Sequence, residues 1–211
     1  MLKTNFNDMF SIIKKHISEK EAYSKKLESI DKMYEYSEKR KGELKADQKD
    51  LFTASSDKLI SEFSTRVEQI KKEMKDKQAD FDLGSSALCN AIAYLNAMPD
   101  EGYPDAETIR LIAAHFISDN NSLGILISIA NNKRLNKSCI DILQKNIYSE
   151  YKIDDLLEGF VKVVNDTKMV QYLVNDVVAA AHLCGIELTA PEIIDDLGST
   201  NIARKAMGLP I

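Results

Sequence analysis

The residues of this chain whose types could do chemistry are three histidines, three cysteines and two aspartate doublets. His115 lies in Ile-Ala-Ala-His-Phe-Ile and His182 in Ala-Ala-Ala-His-Leu-Cys. A metal or nucleophile site would have to join His182 to Cys184, but residues two apart on a helix point to different faces. No HxxxE or ExxH pattern accompanies either histidine, so the ligand set of a two-metal helical bundle is missing. Both rings are expected to be semi-buried and held by a backbone carbonyl. Asp154-Asp155 and Asp195-Asp196 could in principle hold Mg²⁺. Adjacent carboxylates on a helix diverge by roughly 100°, and no ExxE…ExxD set completes an octahedron. A place in a helix first turn, beside the positive end of the dipole, suits Asp154 and Asp155 better.

Cys89, Cys139 and Cys184 are odd in number, far apart and without a CxxC, a poor framework for disulfides or zinc. Each sits in an apolar run and is expected to be a buried free thiol. Phosphate loops, dinucleotide-binding glycine patterns and nucleophile elbows are absent. Most glycines past Gly84 read as turns or caps; Gly124 and Gly159 are expected to mark close helix contacts. The expectation is a protein that is not an enzyme, with no catalytic residue, metal or cofactor.

What must position these residues divides at Gly84. Residues 1–82 contain no proline, no cysteine and one glycine, Gly42, with 18 Lys/Arg against 17 Asp/Glu. The rest carries 10 Lys/Arg against 16 Asp/Glu, all four prolines and seven glycines. The arm is therefore nearly neutral and the remainder acidic, which argues against a protein that lives on DNA. A charged, breaker-free stretch before an apolar, punctuated one predicts an all-α protein: a helical arm over 1–83 and a compact helical domain over 84–211. No uninterrupted apolar run suits a leader peptide or approaches the ~18 residues of a membrane span. A soluble, cytoplasmic protein is expected.

Within the arm, apolar residues follow the 4-3-4 spacing of a coiled-coil seam. Phe6, Phe10, Ile13 and Ile17 begin it, and Tyr23, Leu27, Ile30 and Tyr34 repeat it. Phe52, Leu59 and Phe63 follow, with Ser56 in register, and Val67, Ile70, Met74 and Phe81 extend the stripe. These positions are the candidate oligomer interface. Between Ser37 and Asp50 the stripe nearly fails, and Gly42 sits in the gap. Either the chain turns there into an antiparallel pair of helices, or one helix runs through; a bare polar seam over two turns favours the turn. The run Lys39-Arg40-Lys41 is offset by Glu35, Glu38 and Glu43 and reads as a solvated turn.

Past Gly84 the punctuation spells short helices. Ser86 caps one to Met98, and Pro104 opens a second with Asp105 and Glu107 in its first turn. Ser122 caps a short apolar segment to Asn131, a buried helix rather than a strand because nothing strand-like exists to pair with it. Further helices are expected over Ser138–Tyr148, Ile153–Asn165 and Thr167–Cys184, the last closed by Gly185. A capping box at Thr189–Glu192 starts a short helix to Leu197, closed by Gly198, and Ile202–Met207 forms a last turn.

In layout, with a charged coiled-coil start, a helical domain, few aromatics and no tryptophan, the chain resembles small morphogenesis proteins of phages of Gram-positive hosts, the scaffold-like and head or tail accessory proteins. The resemblance implies a homo-oligomer that binds a coat or tail subunit, in the cytoplasm or assembled in a virion. The residues by themselves point the same way, to an assembly protein joined through the arm. Two other readings stand beside it. One is a nucleic-acid-associated regulator with the arm as its dimerisation element, for which Lys133, Arg134 and Lys137 are the nearest basic cluster. The other is a helical enzyme or small-molecule binder built on His115 or His182.

Overall fold

The computed structural model describes residues 1–79 and 82–188. Phe81, the Thr189–Glu192 capping box, Asp195-Asp196, the helix to Leu197 and the turn at Ile202–Met207 lie outside the described residues. The described chain is all-α, with no strand among those residues. Its helices are α1 (Leu2–Asp31), α2 (Glu38–Ala79), α3 (Ser86–Ala97), α4 (Ala106–His115), α5 (Asn120–Asn132), α6 (Lys137–Lys145), α7 (Glu150–Asn165) and α8 (Val170–Leu183). A 3-10 turn, Thr167–Met169, leads into α8. Contacts gather into two units, one holding residues 1–69 and 152–178, the other 70–151 and 179–187. The expected division at Gly84 follows composition; these units follow contacts.

In the first unit, α1 and α2 run antiparallel. Asp8 pairs with Arg66 at 3.1 Å, the Ser55 hydroxyl donates to the Glu19 carboxylate, and Asp31 pairs with Lys45. Tyr23 stacks on Phe52 with ring centroids 4.7 Å apart. The connection spans Lys32–Ser37, ahead of the gap in the stripe. Ser37 accepts from the Arg40 backbone N–H, and Glu38 occupies the first turn, where the helix dipole favours an acid. Gly42 lies inside α2. One glycine costs a helix only about 1 kcal/mol against alanine, too little to stop one that is capped before it.

The α7 helix brings Phe160 to Phe63, stacked at 4.6 Å. Gly159 lets α8 approach, since a Cβ there would lie 3.1 Å from Leu173 Cδ1. Gly124 does not mark a close contact: nothing stands within 4 Å of a Cβ built on it. At the C-terminal end of α7 the Lys20 ammonium donates to the carbonyls of Val164 and Asn165, at 3.4 and 3.5 Å. A cation there satisfies carbonyls that the helix leaves open and meets the negative end of its dipole.

The second unit is a stack of short helices in which α3 packs on α5, and α6 on both α4 and α5. Leu88, Leu95, Ile109, Leu123, Leu126 and Leu143 are its innermost side chains. Each helix start has a side-chain cap: Ser85, Asp105, Asp119 and Asn136 accept from the backbone N–H of Leu88, Thr108, Ser122 and Ser138. The expected caps Ser86 and Ser122 therefore sit inside their helices, because a nearby upstream acceptor takes the orphan N–H groups instead. The Thr108 backbone N–H and hydroxyl O–H both donate to the Asp105 carboxylate and hold its pKa below the ordinary carboxylate range. At the end of α8, Gly185 takes a φ of +73°. Its N–H reaches the His182 carbonyl and that of Ile186 reaches Ala181, a pattern that closes the last turn.

Candidate interaction surfaces

The seam residues fall into two groups. Phe6, Phe10, Ile13, Ile17, Ile30, Leu59, Phe63, Val67, Ile70 and Met74 are buried within the single chain. Tyr23, Leu27 and Phe52 are half-covered, and Tyr34, in the connection between α1 and α2, is 89% exposed. Leu51, beside Phe52 but off the stripe, is 65% exposed. Glu19, Ala22, Tyr23, Lys26, Gln48, Leu51, Phe52 and Ser55 line an open groove of about 380 Å³ along this far stretch of α1 and α2. Its floor is the Tyr23–Phe52 stack and its rim carries one acid and one base.

A second groove, of about 360 Å³, lies between α3 and α4. Ala87, Ala91 and Tyr94 form one wall, and Leu111, Ile112, His115 and Phe116 the other. The small side chains of α3 keep it open, while Leu111 stands 65% exposed on its lip. Its polar groups are Asn90, Thr108, the Tyr94 hydroxyl and the His115 ring. No acid lies among the lining residues to orient that ring as a base, so the groove suits an apolar side chain better than a reaction.

The candidates for chemistry are dispersed. His115 and His182 are both exposed rather than semi-buried: each sits near the end of its helix on the face away from the core. Cys184 is buried while His182 faces out, so the two do not converge. Burial pushes the Cys184 thiol up to about 12, against the pull of the Lys77 ammonium, and burial raises that of Cys139 as well. A thiol held protonated is a poor nucleophile. Cys89 is exposed, contrary to the buried thiol expected there. Asp154 and Asp155 are exposed but lie in the second turn of α7, contrary to the first-turn place expected for them; the helix begins earlier, and its first-turn acid is Glu150. Among the described residues no group of three or more His, Cys, Asp or Glu could hold a metal ion, and no helix is long and apolar enough to cross a membrane.

The basic clusters carry acidic partners. Arg40 meets Glu43 at 3.0 Å and Lys41 meets Glu38 at 3.1 Å. Lys133 and Arg134 meet Asp100 and Glu101 at 3.6 and 3.5 Å, where the turn after α3 hydrogen-bonds to the turn after α5. Such pairing leaves little unopposed charge for a phosphate backbone.

His16 is the residue that reading by motif passes over. It is fully buried, between Phe52 at 5.8 Å and Phe160 at 6.0 Å. Neither ring nitrogen has a hydrogen-bond partner among the described residues. The signal was its register: three residues after Ile13 and beside Ile17, it shares the inward face of α1. Comparison with protein families, curated proteins and solved structures returns no match to this chain.

Proposed function

We propose that the chain is a non-enzymatic assembly protein that self-associates through the far end of its α1–α2 pair and binds a protein partner through its helical second unit. One observation carries this reading: the apolar stripe is covered within the chain along most of its length and left open where Tyr34 and Leu51 stand exposed beside Tyr23, Leu27 and Phe52. Apolar surface withdrawn from water contributes about 25 cal/mol per Å², so a second copy laid on this stretch gains most by covering the part that one chain leaves wet. The α3–α4 groove is the place for the partner. Its width between two helices and its apolar lining suit the face of an amphipathic helix. By the resemblance in layout, that partner is a coat or tail subunit of a phage. The paired state of both basic clusters speaks for a protein partner over nucleic acid.

Sedimentation velocity over a wide concentration range, on the natural chain and on Leu51→Asp, tests the self-association. Leu51 is exposed, so the substitution leaves the fold intact. The natural chain is expected to form a dimer or larger species, and Leu51→Asp to weaken association at least tenfold with unchanged helicity. A natural chain that stays monomeric throughout, or a variant that associates equally well, overturns the reading.

A further inference from the structure

Three helices of the first unit meet at one turn of α1, and a histidine sits at the meeting point. His16 is enclosed by Phe52 of α2 and Phe160 of α7, and Glu19 and Lys20, three and four residues on, tie α1 to the same two helices. Glu19 accepts from Ser55 of α2, and Lys20 donates to the last carbonyls of α7. The ring itself has no partner for either nitrogen, and Ser56, one turn beyond Phe52, is likewise buried with an unpartnered hydroxyl. Natural cores seldom tolerate orphan polar groups, because each forfeits hydrogen bonds to water. A neutral imidazole bears this at modest cost. An imidazolium with two unanswered N–H donors among aromatic rings does not.

We propose that His16 is a pH-responsive pin, whose protonation in mildly acidic solution releases α1 from α2 and α7 and opens the first unit. The charged groups that act on the ring are Lys20 and Glu19, both on α1; α2 and α7 turn Phe52 and Phe160 toward it. Burial holds the ring's basicity below that of a free histidine; Lys20 adds to the effect and Glu19 opposes it. The closed state therefore binds its proton less readily than the open one. The pin's contribution is fully present above the free-histidine value near ~6.5 and is lost as pH falls from there toward the folded value. Below the folded value both states are protonated and the loss stops. In the open state the imidazolium has Glu19 available three residues on, at a spacing that pairs side chains along a helix surface.

The test is amide hydrogen exchange read by mass spectrometry between pH 7.5 and 5, corrected for the intrinsic rate. One linked proton changes the opening constant by at most tenfold per pH unit. Protection of the α1 amides is expected to fall by up to about that factor per unit below ~6.5. His16→Leu, of similar bulk and unable to titrate, is expected to remove the dependence. Protection that is flat with pH in the natural chain, or an equal fall in His16→Leu, overturns the proposal. Should His16→Leu fail to fold, ring NMR of the natural chain decides. The His16 ring is expected to titrate together with the loss of α1 protection. A ring that titrates while α1 stays protected refutes the pin.

Discussion

Among the described cysteines and histidines, burial separates side chains whose flanking sequence looks alike. The cysteines show this most sharply. Cys89 lies exposed on α3, whereas Cys139 and Cys184 are buried with thiols pushed up by desolvation. A thiol-specific reagent at neutral pH is therefore expected to modify one cysteine rapidly and the other two only on the timescale of unfolding. Peptide mapping should place the fast label on Cys89. Two or three fast thiols would mean that the cores around Cys139 and Cys184 are open. Histidine follows the opposite pattern from the one its neighbours suggest. His115 and His182, flanked by alanine and phenylalanine or leucine, face solvent, while His16, flanked by lysine and isoleucine, is buried. Flanking composition averages over all faces of a helix, and burial follows one face only.

At the level of helices, the two glycines that differ most in their demands are Gly42 and Gly185. Gly42 occupies the interior of α2 with open space where a Cβ would go, so Gly42→Ala is expected to stabilise the chain by about 0.5–1 kcal/mol. Gly185 adopts a left-handed φ, and a Cβ would meet Ser118 Oγ at 3.3 Å; Gly185→Ala is expected to cost about 1–2 kcal/mol. Urea unfolding of the two variants checks both signs at once, and a gain at Gly185 or a loss at Gly42 would contradict the helix ends described. The helices themselves were legible in the sequence, since α3 to α8 all lie where periodicity and punctuation put them, within a few residues. Cap identities were less so, because Ser85, Asp119 and Asn136 each compete with a serine up to three residues on, and backbone geometry decides between them. The turn between α1 and α2 was misplaced for a related reason: a gap in an apolar stripe reports what a helix packs against, not whether it is helical. The open grooves were not legible at all. Leu51 and Leu111 are ordinary apolar residues in sequence, and only the packing around them shows that nothing covers them.

For the whole molecule, the account turns on whether the seam closes within one chain. Asp8 with Arg66, Glu19 with Ser55, Tyr23 with Phe52 and Asp31 with Lys45 are all contacts of a chain with itself. Self-association is then left to the stretch around Leu51 and Tyr34. An exchange of helices between two copies would preserve every one of these contacts while making them intermolecular, and mass alone cannot tell the two apart. The decisive measurement is zero-length carbodiimide coupling of Asp31 to Lys45 in an equal mixture of nitrogen-14 and nitrogen-15 protein, unfolded and refolded together before coupling. The account predicts coupled peptide pairs that are wholly light or wholly heavy. Mixed pairs approaching half of the total would show that the seam is shared between chains, and would contradict it.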